Sequence, residues 1–396
     1  QEDFRIAAGV TLRTVQEWES NNMTADMGRR IFLAKMLKIP PALLGLAWQS
    51  LLDEEGMPLY REALEHTASF LKEHSYGLYE DLLAFGYACS ASGISPTMAY
   101  RFQQHQQELE RLVESAPERE KAAWKDLLCR FYQLSTFIVQ RHTQHRRKDE
   151  QAPAYADQAV TIAHALEDTE LLTAALYRRS RLHLLQNREQ AARQDIQGAM
   201  AYVDQVRGPL KGNTYLLAAE IHALHSQGDE KLQSQCRKWQ EKAATILYRG
   251  NLEEDSSSLW FDLYAVHHER AKTLARFALF HTTDEELIEL LKATHTRADA
   301  KLLEDAQAAL ALAWNTIETS PSLEKKLDFS LTEVRLFILA RELEEAAKTA
   351  KKALQFAQFA YSQEGVKEVT QLYTILNSLA PQNPYVRNLG IELNLF

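Results

Sequence analysis

One amphipathic helix pattern follows another from about residue 59 to the end of the chain, and this periodicity limits what the chain can fold into. Apolar residues recur every three or four positions, and short polar turns separate the periodic segments. Only 14 glycines and 10 prolines occur in 396 residues, and no stretch shows several alternating β-branched strands. We therefore predict an all-α protein built of paired antiparallel helices.

Short polar or proline-containing segments mark the predicted turns. They are Gly93-Ile94-Ser95-Pro96, Ser115-Ala116-Pro117, Gln186-Asn187-Arg188, Gln227-Gly228-Asp229, Ala340-Arg341-Glu342 and Leu379-Ala380-Pro381. The turns at residues 186 and 227 lie 41 residues apart. The turn at 340 follows 113 residues after the one at 227, which corresponds to three repeats of about 37 to 38 residues. These spacings exceed the tetratricopeptide period of roughly 34 residues. Gln227-Gly228-Asp229 resembles the turn between the two helices of a tetratricopeptide repeat, and the longer spacing indicates degenerate repeats with lengthened helices. Residues 120–380 therefore resemble a tetratricopeptide-like α-solenoid, and an armadillo-like helical array is the alternative.

A groove on the inner side of such a solenoid is the expected place for a ligand, because the first helix of each repeat leaves one face free. Counting back five residues from three of the turns places Arg181, His222 and Arg335 at one mid-helix position, with Tyr177 and Tyr215 nearby. We expect these five residues to hold a carboxylate or a peptide backbone, with the aromatic rings as contact area. The alternative is that they are solvated side chains or members of interhelix salt bridges.

The first 19 residues have the pattern of a helix, a tight turn and a second helix. Gly9 can adopt the positive φ that ends the first helix, and the Thr11 hydroxyl can cap the second. Val15 and Trp18 then form one apolar stripe at i, i+3 spacing. Leu12, Arg13, Gln16 and Glu17 point away from that stripe.

Residues 1–46 resemble the Cro/repressor-like helix-turn-helix family of the xenobiotic-response-element type. The resemblance rests on the order and spacing of residues in Ala8–Glu19 and of the second motif, Arg29–Leu46, which includes Ile39-Pro40-Pro41 and Leu43-Leu44-Gly45-Leu46. It covers about an eighth of the chain. The family places a further helix before the one that begins here at Gln1, so we expect the head to lack its first helix. An amphipathic helix pair that only caps the helical array is the alternative interpretation.

Double-stranded DNA is the partner that this resemblance implies, with the second helix in the major groove. The expected DNA-binding residues are Gln1, Thr11, Leu12, Arg13, Thr14, Gln16 and Glu17. Arg13 suits a guanine edge, Gln16 an adenine edge and Leu12 a thymine methyl group. Glu17 repels phosphate unless it accepts a hydrogen bond from a cytosine amino group.

Composition shifts divide the chain into a predicted helix-turn-helix domain at 1–46, a linker at 47–58 and a helical-repeat domain at 59–396. The head carries six basic and five acidic residues, a net charge of +1, and the whole chain carries −9. The remaining 350 residues therefore carry −10 and would repel a phosphate backbone. We expect DNA to contact the head alone.

Several kinds of site have no support in the sequence. No nucleotide-binding or hydrolase motif occurs, so we expect no catalytic residue and no cofactor. The pairs His142/His145 and His222/His225 lack a third ligand and are predicted to be surface residues, not a metal site. The basic run 141–148 is predicted to complement the dipole of the preceding helix.

Cys89, Cys129 and Cys236 are odd in number and far apart, which favours a reducing compartment and therefore the cytoplasm. No run of 18 apolar residues and no charged-then-apolar leader occurs, so neither membrane spanning nor secretion is predicted.

A head that binds DNA and a body that binds a ligand together predict a bacterial transcriptional regulator that is not an enzyme. Peptide-pheromone-sensing regulators have a similar two-part architecture. We expect a homodimer in which a peptide, a small ligand or a protein in the solenoid groove changes the spacing of the two heads. The alternative function is an interaction scaffold whose head is vestigial and binds no DNA. An enzyme of another kind is a third, weaker alternative, because no set of acid, base and nucleophile is visible.

Overall fold

The computed structural model describes residues 76–142, 148–226, 229–248, 259, 261–293, 295–318, 320 and 322–395. Contacts between Cα atoms divide the chain into two units, Gln1–Gly86 and Tyr87–Phe396. The architecture below concerns the second unit. The predicted boundaries at 46 and 58 lie outside the described residues and stay a prediction.

Fifteen α-helices and no strand are present in the described residues, so the predicted all-α class is confirmed. The helices are α1 Tyr76–Ser92, α2 Pro96–Ser115, α3 Lys121–His142, α4 Lys148–Ala165, α5 Thr169–Leu185, α6 Glu189–Ala201, α7 Gly208–Ala223, α8 Glu230–Tyr248, α9 Leu263–Ala278, α10 Asp284–Lys292, α11 Ala300–Ile317, α12 Leu323–Leu339, α13 Leu343–Phe359, α14 Gln363–Leu379 and α15 Pro384–Glu392. None of them is long and apolar enough to cross a membrane.

Sequential pairing organises these helices into an inner and an outer set. The outer partners α4, α6, α8, α11 and α13 pack on α3, α5, α7, α9 and α12, and α15 packs on both α13 and α14. The inner helices α3, α5, α7, α9, α12 and α14 each contact the next one, and α14 in turn contacts α3. Six inner helices therefore form a closed ring, and the space that they surround is called the groove here.

Helix-to-helix turns are encoded locally, as the sequence predicted. Asn187, Arg341 and Tyr361 have φ of 56°, 62° and 54°, and each turn has the two hydrogen bonds of a Schellman motif. The predicted turns that begin near residues 93, 115, 186, 340 and 379 all coincide with helix ends and are confirmed. The turn at 227 falls partly outside the described residues.

Small residues let neighbouring helices approach closely. Alanines such as Ala219, Ala306 and Ala350 are fully buried between inner and outer helices. Gly93 has a φ of +101°, and a Cβ atom there would lie 2.7 Å from the Cα of Ala360. This close approach fixes the start of α2 against the turn between α13 and α14.

Candidate functional site: the groove

Two adjoining cavities occupy the groove, and Arg141, Arg181 and His268 are among the residues that line both. The smaller cavity has a volume of about 240 Å³ and the larger one about 660 Å³. We call them the aromatic chamber and the polar chamber. Ligand sites in proteins typically have volumes of roughly 300–1,000 Å³, so the groove has room for a small molecule or several residues of a peptide.

Four aromatic rings from four different segments give the aromatic chamber its character: Tyr87, Phe137, Tyr177 and Tyr264. Tyr264 stacks on His268 with ring centroids 4.9 Å apart and donates a hydrogen bond to the Lys325 carbonyl at 2.8 Å. These contacts fix the ring, so the wall that it presents is preformed. Phe261 and Tyr264 are both buried, and Tyr264 also faces the chamber.

Charges of both signs line the polar chamber in nearly equal number. The basic residues are Arg141, Arg181, Lys272, Arg276, Arg335 and Lys367, and the acidic residues are Glu189, Glu220, Asp284, Glu285, Asp328, Glu364 and Glu368. Carboxylates from neighbouring helices thus match the arginines that were expected to bind a ligand carboxylate, and the chamber as a whole is not a positive patch.

Arg141 lies where the two chambers meet and joins the first inner helix to the fifth. Its guanidinium forms an ion pair with Glu324 and a second one with Asp328, the latter at 3.1 Å. It also lies over the Phe137 ring, 5.2 Å from the centroid. Burial would lower the pKa of Arg141, but Asp328 and Glu324 raise it above its usual value, so it stays charged.

The neighbours of Arg141 on α3 extend this junction to α14. Gln140 donates to the Glu364 carboxylate at 3.2 Å, and Nδ1 of His142 donates to the Tyr361 carbonyl at 3.2 Å. Nε2 of His142 lies 3.8 Å from Glu324. These contacts close the ring of inner helices at the place where α14 meets α3.

Burial changes the protonation of two groups at this junction. It lowers the pKa of His142 to about 4 and raises the pKa of Glu324 to about 7, although Arg141 opposes the second shift. His142 is therefore neutral at pH 7, whereas Glu324 titrates there. The prediction that His142 is a surface residue is wrong, since its side chain is buried.

Arg181 and Lys272 form a second charge network at the centre of the groove. Lys272 pairs with Glu220 and, at 3.0 Å, with Glu269, and Arg181 lies 3.7 Å from Glu220 and 3.6 Å from Glu269. Burial would raise the pKa of Glu269, but Lys272 and Arg181 hold it below its usual value. Three inner helices, α5, α7 and α9, are joined by these four charges.

Arg276 belongs to neither network. Its guanidinium donates to Nε2 of His281 at 2.9 Å, and Nδ1 of His281 donates to the Leu279 carbonyl at 2.8 Å. Burial lowers the pKa of His281 to about 4, so the imidazole is neutral and accepts from Arg276. Burial and the nearby Arg335 lower the pKa of Arg276 to about 10, which leaves it cationic at pH 7. Arg335 itself lies 3.8 Å from Asp284.

Of the five predicted groove residues, the structure places three on the chamber walls and two elsewhere. Tyr177 lines the aromatic chamber, Arg335 lines the polar chamber, and Arg181 lines both. Tyr215 is in the core, with the Lys242 ammonium 5.2 Å from its ring centroid. His222 packs edge-on against Trp239 and donates to the Ala218 carbonyl at 2.8 Å.

The error for His222 comes from counting back from the turn. Arg181 and Arg335 both lie four residues before the end of their helices, Leu185 and Leu339. α7 ends at Ala223, four residues before Gln227, so the same count places His222 one residue from the helix end. Glu220, two residues before His222, is the residue of α7 that lines the polar chamber.

Several groove residues have a sequence signal that the repeat alignment did not use. Polar residues recur four positions apart on otherwise apolar helices, as in His268-Lys272-Arg276 and Glu324-Asp328. Such spacing puts the side chains on one face of a helix. The basic run 141–148 was predicted to complement the dipole of the preceding helix. Its first residue, Arg141, instead forms two ion pairs with carboxylates of α12.

The predicted DNA-binding residues Gln1, Thr11, Leu12, Arg13, Thr14, Gln16 and Glu17 all lie outside the described residues. Within the part of the chain that the structure describes, no group of three His, Cys, Asp or Glu side chains could hold a metal ion. The three cysteines are free thiols, and burial raises the pKa of each to about 12.

Comparison with known proteins gives no match: no protein-family model, no curated protein and no solved structure is significantly similar to this chain.

Proposed function

We propose that this protein is a DNA-binding transcriptional regulator whose groove binds a peptide and whose residues 1–46 bind double-stranded DNA. The observation that carries the ligand-binding half is the groove itself, in which an aromatic chamber adjoins a larger polar one. The DNA-binding half rests on the helix-turn-helix pattern of residues 1–46. Cytoplasmic location and a homodimer are parts of the same proposal.

A peptide suits the groove because a peptide combines apolar side chains with main-chain donors and acceptors. Apolar side chains of a ligand would bury surface against Tyr177 and Tyr264. Main-chain N–H groups of a bound peptide would donate to carboxylates of the polar chamber such as Glu364 and Glu368, and its carbonyl groups would accept from cationic groups such as Lys367.

Ligand binding would reach the head through the ring of inner helices. The aromatic chamber is lined by residues of α3, α5, α7, α9 and α12, so a molecule inside contacts most of the ring at once. A ligand that prefers one curvature of the ring shifts the population toward it. In a dimer, that shift would change the spacing of two DNA-binding heads and therefore the affinity for a two-site operator.

Selection of bound duplexes from a random DNA pool by the full-length protein tests the DNA-binding half. We expect enrichment of a defined site, and we expect Arg13→Ala to lose about 1–3 kcal/mol on that site while relaxing the preference at one base pair. Lys301→Ala, an exposed change on α11, is the control and should bind as the parent does. A pool that shows no enrichment would favour the scaffold function.

A further inference from the structure

Nearly every charged side chain that lines the polar chamber has an opposite charge within 4.0 Å. Arg181 and Lys272 pair with Glu220 and Glu269, Arg141 with Asp328, Lys367 with Glu364, and Arg335 with Asp284. His225 lies 3.9 Å from Glu189. Three residues of the described wall have no such pair: Arg276, Glu368 and Glu285. Glu285 is exposed and is therefore hydrated.

Arg276 cannot obtain a counter-charge from its own hydrogen-bond partner. That partner is the neutral His281 imidazole, which is held in one tautomer by the Leu279 carbonyl. Burial lowers the pKa of Arg276, and Arg335, which faces the same chamber, lowers it further. The guanidinium thus remains charged and half-buried, and Glu220, Asp284 and Glu189 influence it only from beyond ion-pair distance.

Glu368 is in the complementary situation on α14. Burial raises its pKa, and Arg335 is the largest influence that opposes this shift. Arg276, Arg335 and Glu368 all line the polar chamber, and Arg335 influences the pKa of the other two. A half-buried cation and a half-buried anion, neither with an opposite charge within 4.0 Å, therefore face one cavity from α9 and α14.

We propose that Arg276 and Glu368 form a two-point subsite of the polar chamber, in which Arg276 binds a ligand carboxylate and Glu368 binds a ligand ammonium group. This inference rests on the proposed function and specifies its ligand as a peptide with a free C-terminal carboxylate and a lysine among its last two residues. A guanidinium binds a carboxylate through two parallel hydrogen bonds, and an ammonium group donates to a carboxylate. A phosphate dianion fits less well, because Glu368 and Asp284 would repel it.

Stability of the ligand-free protein gives the first test, since ligand sites carry groups that the fold does not need. Arg276→Gln and Glu368→Gln each remove an unpaired charge, so each variant should keep or raise the Tm. Lys272→Gln is the matched control, because Lys272 lies one turn before Arg276 on α9 and has two carboxylate partners. Its Tm should fall. If the first two variants lose as much Tm as the control, the two residues are structural and the subsite does not exist.

Four pools of short synthetic peptides give the second test on the full-length protein. The pools carry either lysine or norleucine in the last two residues, and either a free or an amidated C-terminus. Retention should be about tenfold higher for the pool with both lysine and the free carboxylate. Arg276→Gln should abolish the preference for the free carboxylate, and Glu368→Gln the preference for lysine, each without affecting the other.

The outcomes separate the subsite from the proposed function. Retention of all four pools to the same extent would overturn the subsite while leaving peptide binding in place. No retention of any pool would overturn the peptide ligand and the subsite with it. Equal loss of both preferences in each variant would show a general collapse of the groove and would also contradict the two-point assignment.

Discussion

Arg141 holds the ring of inner helices together at the junction of the two chambers, and its removal should be costly. Arg141→Gln removes the ion-pair partner of the buried Glu324 and of the half-buried Asp328. Removing one partner of a buried ion pair typically costs about 3–5 kcal/mol. Loss of the contact with the Phe137 ring adds about 0.5–1 kcal/mol. We therefore expect the free energy of unfolding to fall by about 3–5 kcal/mol at pH 8.

The loss should shrink as the pH falls, because Glu324 can then become neutral. Its pKa is already about 7 with Arg141 present, and removal of the guanidinium raises it further. At pH 5.5 Glu324 is neutral, and Arg181 and Lys272 still act on the Asp328 carboxylate, so the expected loss is about 1–3 kcal/mol. The difference between the two pH values is the signature of the buried pair.

Urea denaturation followed by circular dichroism measures both quantities, provided the slope m is unchanged between parent and variant. Arg130→Gln is the matched control, because Arg130 lies on the same helix and forms a partly exposed pair with Asp126 at i, i+4. Such a pair contributes only about 0.3–0.5 kcal/mol. The reasoning is refuted if the two variants lose the same stability at pH 8, or if the loss in Arg141→Gln is independent of pH.

Three further predictions concern pH, backbone strain and ligand contact. Burial lowers the pKa of His142, His268 and His281 to about 4. Because the unfolded chain then binds protons first as the pH falls below 6.5, each histidine should lower the free energy of unfolding by about 2 kcal/mol at pH 5. The raised pKa of Glu324 acts in the opposite sense, because the stability that it contributes at low pH is lost as the pH rises through 7. Glu324→Gln should therefore make the stability measured in urea fall more steeply between pH 7 and pH 5, and a shallower fall would contradict this. Gly93→Ala should lower stability by about 1–3 kcal/mol in the same assay, because φ is +101° and the new Cβ would meet the Ala360 backbone, whereas an unchanged midpoint would show that the turn relaxes. Tyr177→Ala should weaken binding of the retained peptide by at least tenfold in a calorimetric titration, because Tyr177 lines the groove. Tyr215→Ala, if it folds, should leave the affinity unchanged, because Tyr215 lies in the core.

Turns and helices were predictable because their signals are local. The segment Gln186-Asn187-Arg188 stops one helix and starts the next within three residues, and the positive φ of Asn187 with its Schellman bonds is the physical cause. The serine before Pro96 caps α2 through its own side chain. Signals of this kind lie within a few residues of the feature that they determine.

Convergence of charges was not predictable because it depends on contacts between distant segments. Arg141 and Glu324 are 183 positions apart, and they meet only because the ring of inner helices closes. No periodicity in either helix encodes that closure. Arg181 and Arg335 were found because both happen to lie at the same distance from a helix end, whereas the longer turn after α7 displaced His222.

Insertion of α10 between α9 and α11 is a second reason why a fixed repeat period fails. The inner helix α9 packs on α11, yet the nine-residue helix α10 lies between them in sequence and contacts α14. Asp284, at the start of α10, faces Arg335 across the polar chamber. Part of the site therefore comes from an element that no repeat alignment would include.

Coupling between the groove and the head is the central claim, and one equilibrium measurement tests it most directly. The affinity of full-length protein for its selected DNA site would be measured by fluorescence anisotropy at fixed salt, without peptide and at saturation with the peptide that the pools retain. The account predicts a change of roughly 5- to 150-fold that disappears in Arg276→Gln at the same peptide concentration. An unchanged DNA affinity at full occupancy of the groove would contradict it.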